Sequence, residues 1–274
     1  MIFDRFCASD IDPFLELATV EGWIAERWEF EFLLRAFAEG CFAAREISGE
    51  VVGFVTSIRH DRSGWIGNLL VRPECRGKGI GASLFKKALE GLFCSDVETV
   101  WLTASKSGMP LYQKLGFKAV DTINRWTVGG RGRGTAQEIS DASSRLYAEL
   151  NEFDSRAWGD RREALIAATV GRGRVIKQDA GFVVLQKCGE CVQFGPFLAT
   201  DYSSADALLK SALNAVSQGT RVCIDTSALN LTASRLFKRY RMEISGSNEL
   251  MYAGAKPAYA PEYIYGLATM GSCG

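Results

Sequence analysis

Apolar residues recur at helical spacing near the start of the chain, first as Phe14, Leu15, Leu17 and Ala18, then as Phe30, Leu33, Leu34 and Phe37. Residues three and four apart share a helix face, so residues 12–39 predict two amphipathic helices, broken by a loop at Glu21-Gly22-Trp23. The period then shortens. Residues 41–47 and 51–58 read as strands joined by a turn at Ser48-Gly49-Glu50, and residues 65–71 as a third strand. Leu84, Phe85, Ala88, Leu89 and Leu92 form the next helical stripe, with Lys86, Lys87 and Glu90 on the opposite face. Residues 99–103 predict a strand, residues 109–115 a short helix ended by Gly116, and Phe117 onward an extended segment.

Gly129-Gly130-Arg131-Gly132-Arg133-Gly134 breaks all periodicity and reads as a linker between segments 1–128 and 135–274. An RNA-contacting Arg-Gly segment is the alternative, and six residues without aromatic interleaving argue against it. Beyond the linker the same order returns, with helices at about 140–153 and 161–170 and strands at 174–177, 182–187 and 191–198. A helix at 203–216, a strand at 221–225, a helix at 232–240 and a strand at 249–253 complete it. Hairpins early in each half and alternating strands and helices late predict an α+β fold. Each half would be a mixed, mainly antiparallel sheet flanked by helices.

Composition narrows the function. The 274 residues suffice for two domains, and 32 basic against 32 acidic residues leave no global field for nucleic acid or an anionic membrane. Any anion site must be local. No apolar stretch approaches the roughly 18 residues of a membrane span, and the early charges of the N-terminus do not suit a leader, so a cytoplasmic protein is expected. Eight cysteines then read as reduced thiols. Cys188-Gly189-Glu190-Cys191 lies between two strands and reads as a hairpin turn flanked by cysteines, since His60 is the sole histidine available to a zinc site. No metal is expected. The same shortage weighs against Ser-His and Cys-His hydrolases.

Candidate chemistry concentrates at Leu69-Leu70-Val71-Arg72-Pro73-Glu74-Cys75-Arg76-Gly77-Lys78-Gly79-Ile80-Gly81-Ala82, where a strand runs straight into an amphipathic helix. Glycines at 77, 79 and 81 let the backbone approach a ligand and aim N–H groups at it, and the helix N-terminus adds positive partial charge. A pyrophosphate is the natural guest. No Gly-Lys-Ser/Thr ends the loop, and hairpins rather than parallel strands precede it, so neither a Walker loop nor a dinucleotide fingerprint fits.

Arg76-Gly77-Lys78-Gly79-Ile80-Gly81-Ala82 resembles the Gln/Arg-x-x-Gly-x-Gly/Ala signature of the GNAT superfamily of N-acetyltransferases, and Leu111-Tyr112-Gln113-Lys114-Leu115-Gly116-Phe117 is similar to its second element. The resemblance implies acetyl-CoA as co-substrate, with its phosphates on Arg76, Gly77, Lys78, Gly79, Ile80, Gly81 and Ala82. A bulged strand end, here Leu70 and Val71, would offer backbone N–H groups to the thioester carbonyl and pantetheine arm and polarise the acyl group. Ser105, where the family often has Asn, would also meet the coenzyme, and Gly108 stands where it often has Ala. Tyr112 would protonate the departing thiolate, and its alternative reading is a half-buried helix aromatic.

Glu21-Gly22-Trp23, Phe194-Gly195-Pro196-Phe197-Leu198-Ala199 and Tyr265-Gly266-Leu267-Ala268 look similar to motifs of a subgroup with a degenerate second half. That half has no Arg-x-x-Gly-x-Gly after its corresponding strand, so one coenzyme site per chain is expected. The second half would wall the acceptor pocket or form a homodimer. An amine must lose a proton before attacking, and Glu21 is the candidate base, with solvated loop charge as its alternative. Trp23, Arg59, Trp65 and Asn68 are candidates for the acceptor side, or else packing or surface residues. Asp225 would reach the cleft or cap a helix before Leu229. The expected activity is acetyl transfer from acetyl-CoA to a primary amine of a small molecule or peptide. An acyl-CoA-binding sensor or scaffold without turnover is the alternative, and an ATP-binding protein using the same loop is a third reading.

Overall fold

The computed structural model describes residues 1–132 and 143–274. A short strand β1 (Ile2–Arg5) leads to helices α1 (Ile11–Val20) and α2 (Arg27–Phe37), then to strands β2 (Phe42–Arg45), β3 (Val51–Arg59) and β4 (Ser63–Val71). Helix α3 (Ile80–Phe93), β5 (Thr99–Ala104), α4 (Met109–Lys114) and β6 (Lys118–Gly129) complete the first half. Beyond residue 142, α5 (Ser144–Trp158), α6 (Glu163–Arg172), β7 (Arg174–Gln178), β8 (Gly181–Cys188) and β9 (Cys191–Ala199) repeat that order. They are followed by α7 (Tyr202–Ala215), β10 (Arg221–Ser227), α8 (Leu231–Arg239), β11 (Glu243–Gly254) and β12 (Ile264–Gly266).

The halves exchange their closing strands. β11 lies between β5 and β6, antiparallel to both, and β6 lies between β11 and β10, so twelve strands among the described residues form one sheet. In each half two neighbours are parallel, β4 with β5 and β9 with β10, and the remaining pairs within that half are antiparallel. Without β11, the edge of β5 from Thr99 to Ala104 would lose the partner it has from Gly254 to Glu249. An unpaired edge of that length invites association, so each half depends on the other to finish its sheet.

The core follows the exchange. Phe14, Phe30 and Phe54 of the first half share one buried cluster with Trp158, Leu165, Phe182 and Ile264 of the second. At its centre Trp158 meets Trp65 edge-on at 6.1 Å and Trp101 edge-on at 5.7 Å. Each such side chain contributes about 1.5–3 kcal/mol by leaving water, and edge-on pairing adds about 0.5–1.5 kcal/mol.

Several boundaries differ from the pattern reading. β1 was not predicted because four residues with one partly buried position carry no clear alternation. β11 starts at Glu243 rather than 249, since a bulge between Ile244 and Gly246 carries a polar, loop-like stretch through the ladder. Gly129 ends β6, and Gly130 and Gly132 donate to the carbonyls of Thr220 and Val216. A Cβ at Gly130 or Gly132 would strike backbone carbonyls of Ser217 or Asn214, so these glycines serve close packing. Arg133, Gly134 and the predicted helix start at 140 lie outside the described residues.

Candidate active site

β4 is built to open a wedge. Opposite β3, Phe54 pairs with Leu70 and Thr56 with Gly67, so Asn68 and Leu69 together face Val55 as a bulge. Asn68 takes a φ of 53° there and donates from Nδ2 to Thr56 Oγ1 at 2.9 Å. On its other side β4 pairs with β5 only through Ser63, Gly64 and Trp65, and beyond Trp65 and Trp101 the two strands part. The gap continues into a cavity of about 1110 Å³ that runs from the glycine loop to the second half.

Gly77 and Gly79 sit at φ 77° and 79°, a region that favours glycine, and Gly79 caps α3 without any side-chain hydrogen bond. The N–H groups of Ile80, Gly81 and Ala82, in the first helical turn, have no acceptor within the helix. Nothing lies within 4 Å of where a Cβ would stand on Gly77 or Gly79, so the approach to them is open. Arg76 donates to the Val71 carbonyl at 2.9 Å and to Glu21 at 2.6 Å. Free donors, a helix dipole and a cation at one cleft mouth fit a pyrophosphate. Leu70, Val71, Arg76, Gly77, Gly79, Ile80, Gly81, Ala82 and Ser105 all line the cavity. Lys78 is exposed and does not.

The second half has the corresponding parts in a closed form. Asp201 caps α7, accepting from Ser204 N at 2.8 Å, and places its own negative charge where an anion would bind. The gap between β9 and β10 is filled by β12, which pairs with β9, while Leu267 N donates to the Asp225 carbonyl of β10 at 2.7 Å. Past β12, the chain crosses to the first half. Thr103 of β5 donates to the Met270 carbonyl, and a Cβ on Gly67 would run into Gly271 and Ser272.

Tyr112 packs on Phe85 at 5.0 Å and lines the cavity. Burial pushes its phenol up to about 12, so it stays protonated across the working range and has a proton to give. Trp23 and Asn68 also line the cavity. Three other candidates lie away from the cavity lining. Arg59 ends β3 at the hairpin, paired with Gly64 and exposed, away from the bulge. Trp65 is buried against Trp158, because its side chain faces the shared core. Asp225 stands within β10, fully buried, and holds Arg125 through two 2.7 Å hydrogen bonds, with Gln193 at 3.0 Å. Arg125 and Gln193 line the cavity, whereas the cap of α8 is Asn230. Glu21 lines the cavity mouth, engaged by Arg76.

The pattern reading missed Trp28, Glu29, Arg172 and the tail residues 268–272 on the cavity wall. Glu29 is a buried carboxyl in the first turn of α2, and only its place at the polar edge of an apolar stripe could have flagged it. Cys188 and Cys191 are partners across the β8–β9 hairpin and also line the cavity. Burial pushes the Cys188 thiol up to about 12, which keeps it protonated and a poor nucleophile. Among the described residues no group of His, Cys, Asp and Glu could hold a metal ion.

The splayed parallel pair β4–β5, the bulge at its opening and the α3 N-terminus without a side-chain cap together form one open cleft. Residues 4–117 match the family described as "Acetyltransferase (GNAT) family", and residues 150–266 match the "Acetyltransferase (GNAT) domain". The chain is 27% identical over 270 residues to the holothin acyltransferase of Pseudoalteromonas sp. (strain SANK 73390), covering 93% of this chain and 90% of the relative. It is 36% identical over 112 residues to an uncharacterized N-acetyltransferase of Archaeoglobus fulgidus, covering 38% of this chain and 72% of the other. A Pyrococcus horikoshii structure provisionally described as an acetyltransferase superposes with a TM-score of 0.85 at 23% identity, covering 100% of this chain and 95% of that one. The chain belongs to the GNAT family as a tandem of two GNAT domains, and it is an N-acyltransferase. No helix among the described residues is long and apolar enough to cross a membrane.

Proposed function

We propose that the chain binds acetyl-CoA in the first half and transfers the acetyl group to a primary amine held between the halves. The observation that carries this reading is the contrast between two helix starts. Gly79 leaves α3 open onto the β4–β5 wedge, whereas Asp201 caps α7 and β12 fills the matching wedge. In this reading the loop from Arg76 to Ala82 holds the phosphates, the bulge at Asn68 and Leu69 lets Leu70 and Val71 orient the thioester, and Tyr112 supplies a proton to sulfur. The second half and the tail wall the acceptor pocket. The Pseudoalteromonas relative, similar along nearly its whole length, is named for acyl transfer to holothin, which supports an acceptor rather than a regulator in that space. All eight cysteines are free thiols, the state a reducing compartment maintains, and the cytoplasm is the proposed location.

The test is titration calorimetry with acetyl-CoA followed by thiol release across a panel of small amines and peptide N-termini. Micromolar binding with turnover on at least one amine is expected. Binding without turnover on any acceptor would instead identify an acyl-CoA sensor, and absence of binding would refute the reading altogether.

A further inference from the structure

Glu29 of α2 is a carboxyl buried on the wall of the cavity that also holds the β4 bulge and the glycine loop. Ser272 of the C-terminal tail donates from Oγ to Glu29 Oε2. Ser272 in turn stands where a side chain on Gly67 would project, and Gly67 immediately precedes the bulge at Asn68. Ser272 therefore lies between the Glu29 carboxyl, which its hydroxyl meets, and β4 at Gly67, which its backbone meets. Glu21, the sequence candidate, is instead held at the cavity mouth by Arg76.

We propose that Glu29 is the general base that takes the proton of the acceptor amine, and that Ser272 is the residue that positions it. This rests on the acetyl-transfer reading above. The substrate class it implies is an amine that arrives as its ammonium ion, since a buried carboxylate both attracts that charge and accepts its proton. The ammonium gives one proton to Glu29. The C–N bond forms as the C–S bond breaks, and the second nitrogen proton replaces, through solvent, the one Tyr112 gives to the thiolate. Glu29 returns its proton to water as the amide leaves, so one proton is released per turnover.

Burial pushes the Glu29 carboxyl from an ordinary 4.5 up to about 7, against the hydrogen bond from Ser272 and the charge of Arg172. The other titratable groups that face it are Glu26 at the N-cap of its helix, Cys188 of β8 and Cys273 of the tail. A base near 7 lies about three powers of ten below an alkyl amine of pKa about 10.4, where an ordinary glutamate lies about six below.

The experiment compares wild type, Glu29→Gln and Ser272→Ala in acetyl-CoA isotherms, pH–rate profiles on the best amine, and difference infrared titration of the ligand-free proteins. Wild type should show a protonated-carboxyl band that disappears near pH 7 and a rate limb at the same pH. E29Q should lose the band, bind acetyl-CoA as wild type does, and turn over at least ~100-fold more slowly at pH 7. Its rate should recover with rising pH as free amine accumulates. S272A should move both band and limb to higher pH, because the lost hydrogen bond favoured the carboxylate. An E29Q protein that binds acetyl-CoA and keeps the wild-type profile, or an infrared titration near 4.5, would overturn the assignment to Glu29 alone. Wild type that does not bind acetyl-CoA would overturn the acetyl-transfer reading, whatever the infrared titration shows.

Discussion

Replacing Glu29 by Gln should stabilise the ligand-free protein, and increasingly so as pH rises. The native carboxyl is raised by burial to about 7 from the 4.5 it has in the unfolded chain. Between those values the unfolded chain has released a proton that the folded protein still holds, so stability falls as pH increases. The loss begins near pH 4.5 and is complete above pH 7. A gap of about 2.5 pH units corresponds to about 3 kcal/mol. Glutamine keeps an acceptor for Ser272 and never ionises, so it avoids this cost. For a chain of this size about 3 kcal/mol moves the melting midpoint by roughly 6–12 °C. Differential scanning calorimetry at pH 5 and pH 8.5 should show the E29Q advantage mainly at the higher pH. An equal difference at both pH values, or a variant less stable at pH 8.5, would refute the buried-carboxyl argument.

Tyr112→Phe should leave the acetyl-CoA isotherm unchanged and lower kcat about 100-fold, as expected for loss of a positioned acid; an unchanged kcat would remove Tyr112 from the chemistry. Asp225→Ala strips a buried partner from Arg125 and Gln193 and should cost about 3–5 kcal/mol in urea unfolding, whereas a change under about 1 kcal/mol would mean that Arg125 finds another partner. Glu21→Gln frees Arg76 from a part-exposed ion pair worth about 0.5–1 kcal/mol and should tighten acetyl-CoA binding about two- to fivefold; weaker binding would show that Glu21 helps to hold the coenzyme.

The order of the elements and the glycine loop between β4 and α3 were legible because both are local. A change from period 2 to period 3.6 marks the passage from β4 to α3, and glycines at 77 and 79 mark the backbone that must turn there. The hairpin reading of Cys188-Gly189-Glu190-Cys191 rests on the same local logic. The cavity wall supplied by the second half and the tail was not legible, since it is assembled by long-range exchange. No local pattern says that β11 inserts beside β5, that β12 fills the second wedge, or that Ser272 reaches Glu29 across 243 residues of sequence. Trp65 reads either as an acceptor-side residue or as packing, and Asp225 as reaching the cleft or capping a helix; their partners, Trp158 and Arg125, lie about a hundred positions away, so no local pattern could choose.

One measurement bears most directly on the claim of a single coenzyme site at the opening of α3: an acetyl-CoA isotherm on wild type and on Gly79→Val. Valine at φ 79° is strained by about 1–3 kcal/mol and crowds the open N-terminus. The account predicts a stoichiometry of about one per chain in wild type and at least ~10-fold weaker binding in the variant, with the fold retained by circular dichroism. A stoichiometry of two, or unaltered binding by a folded G79V protein, would contradict it.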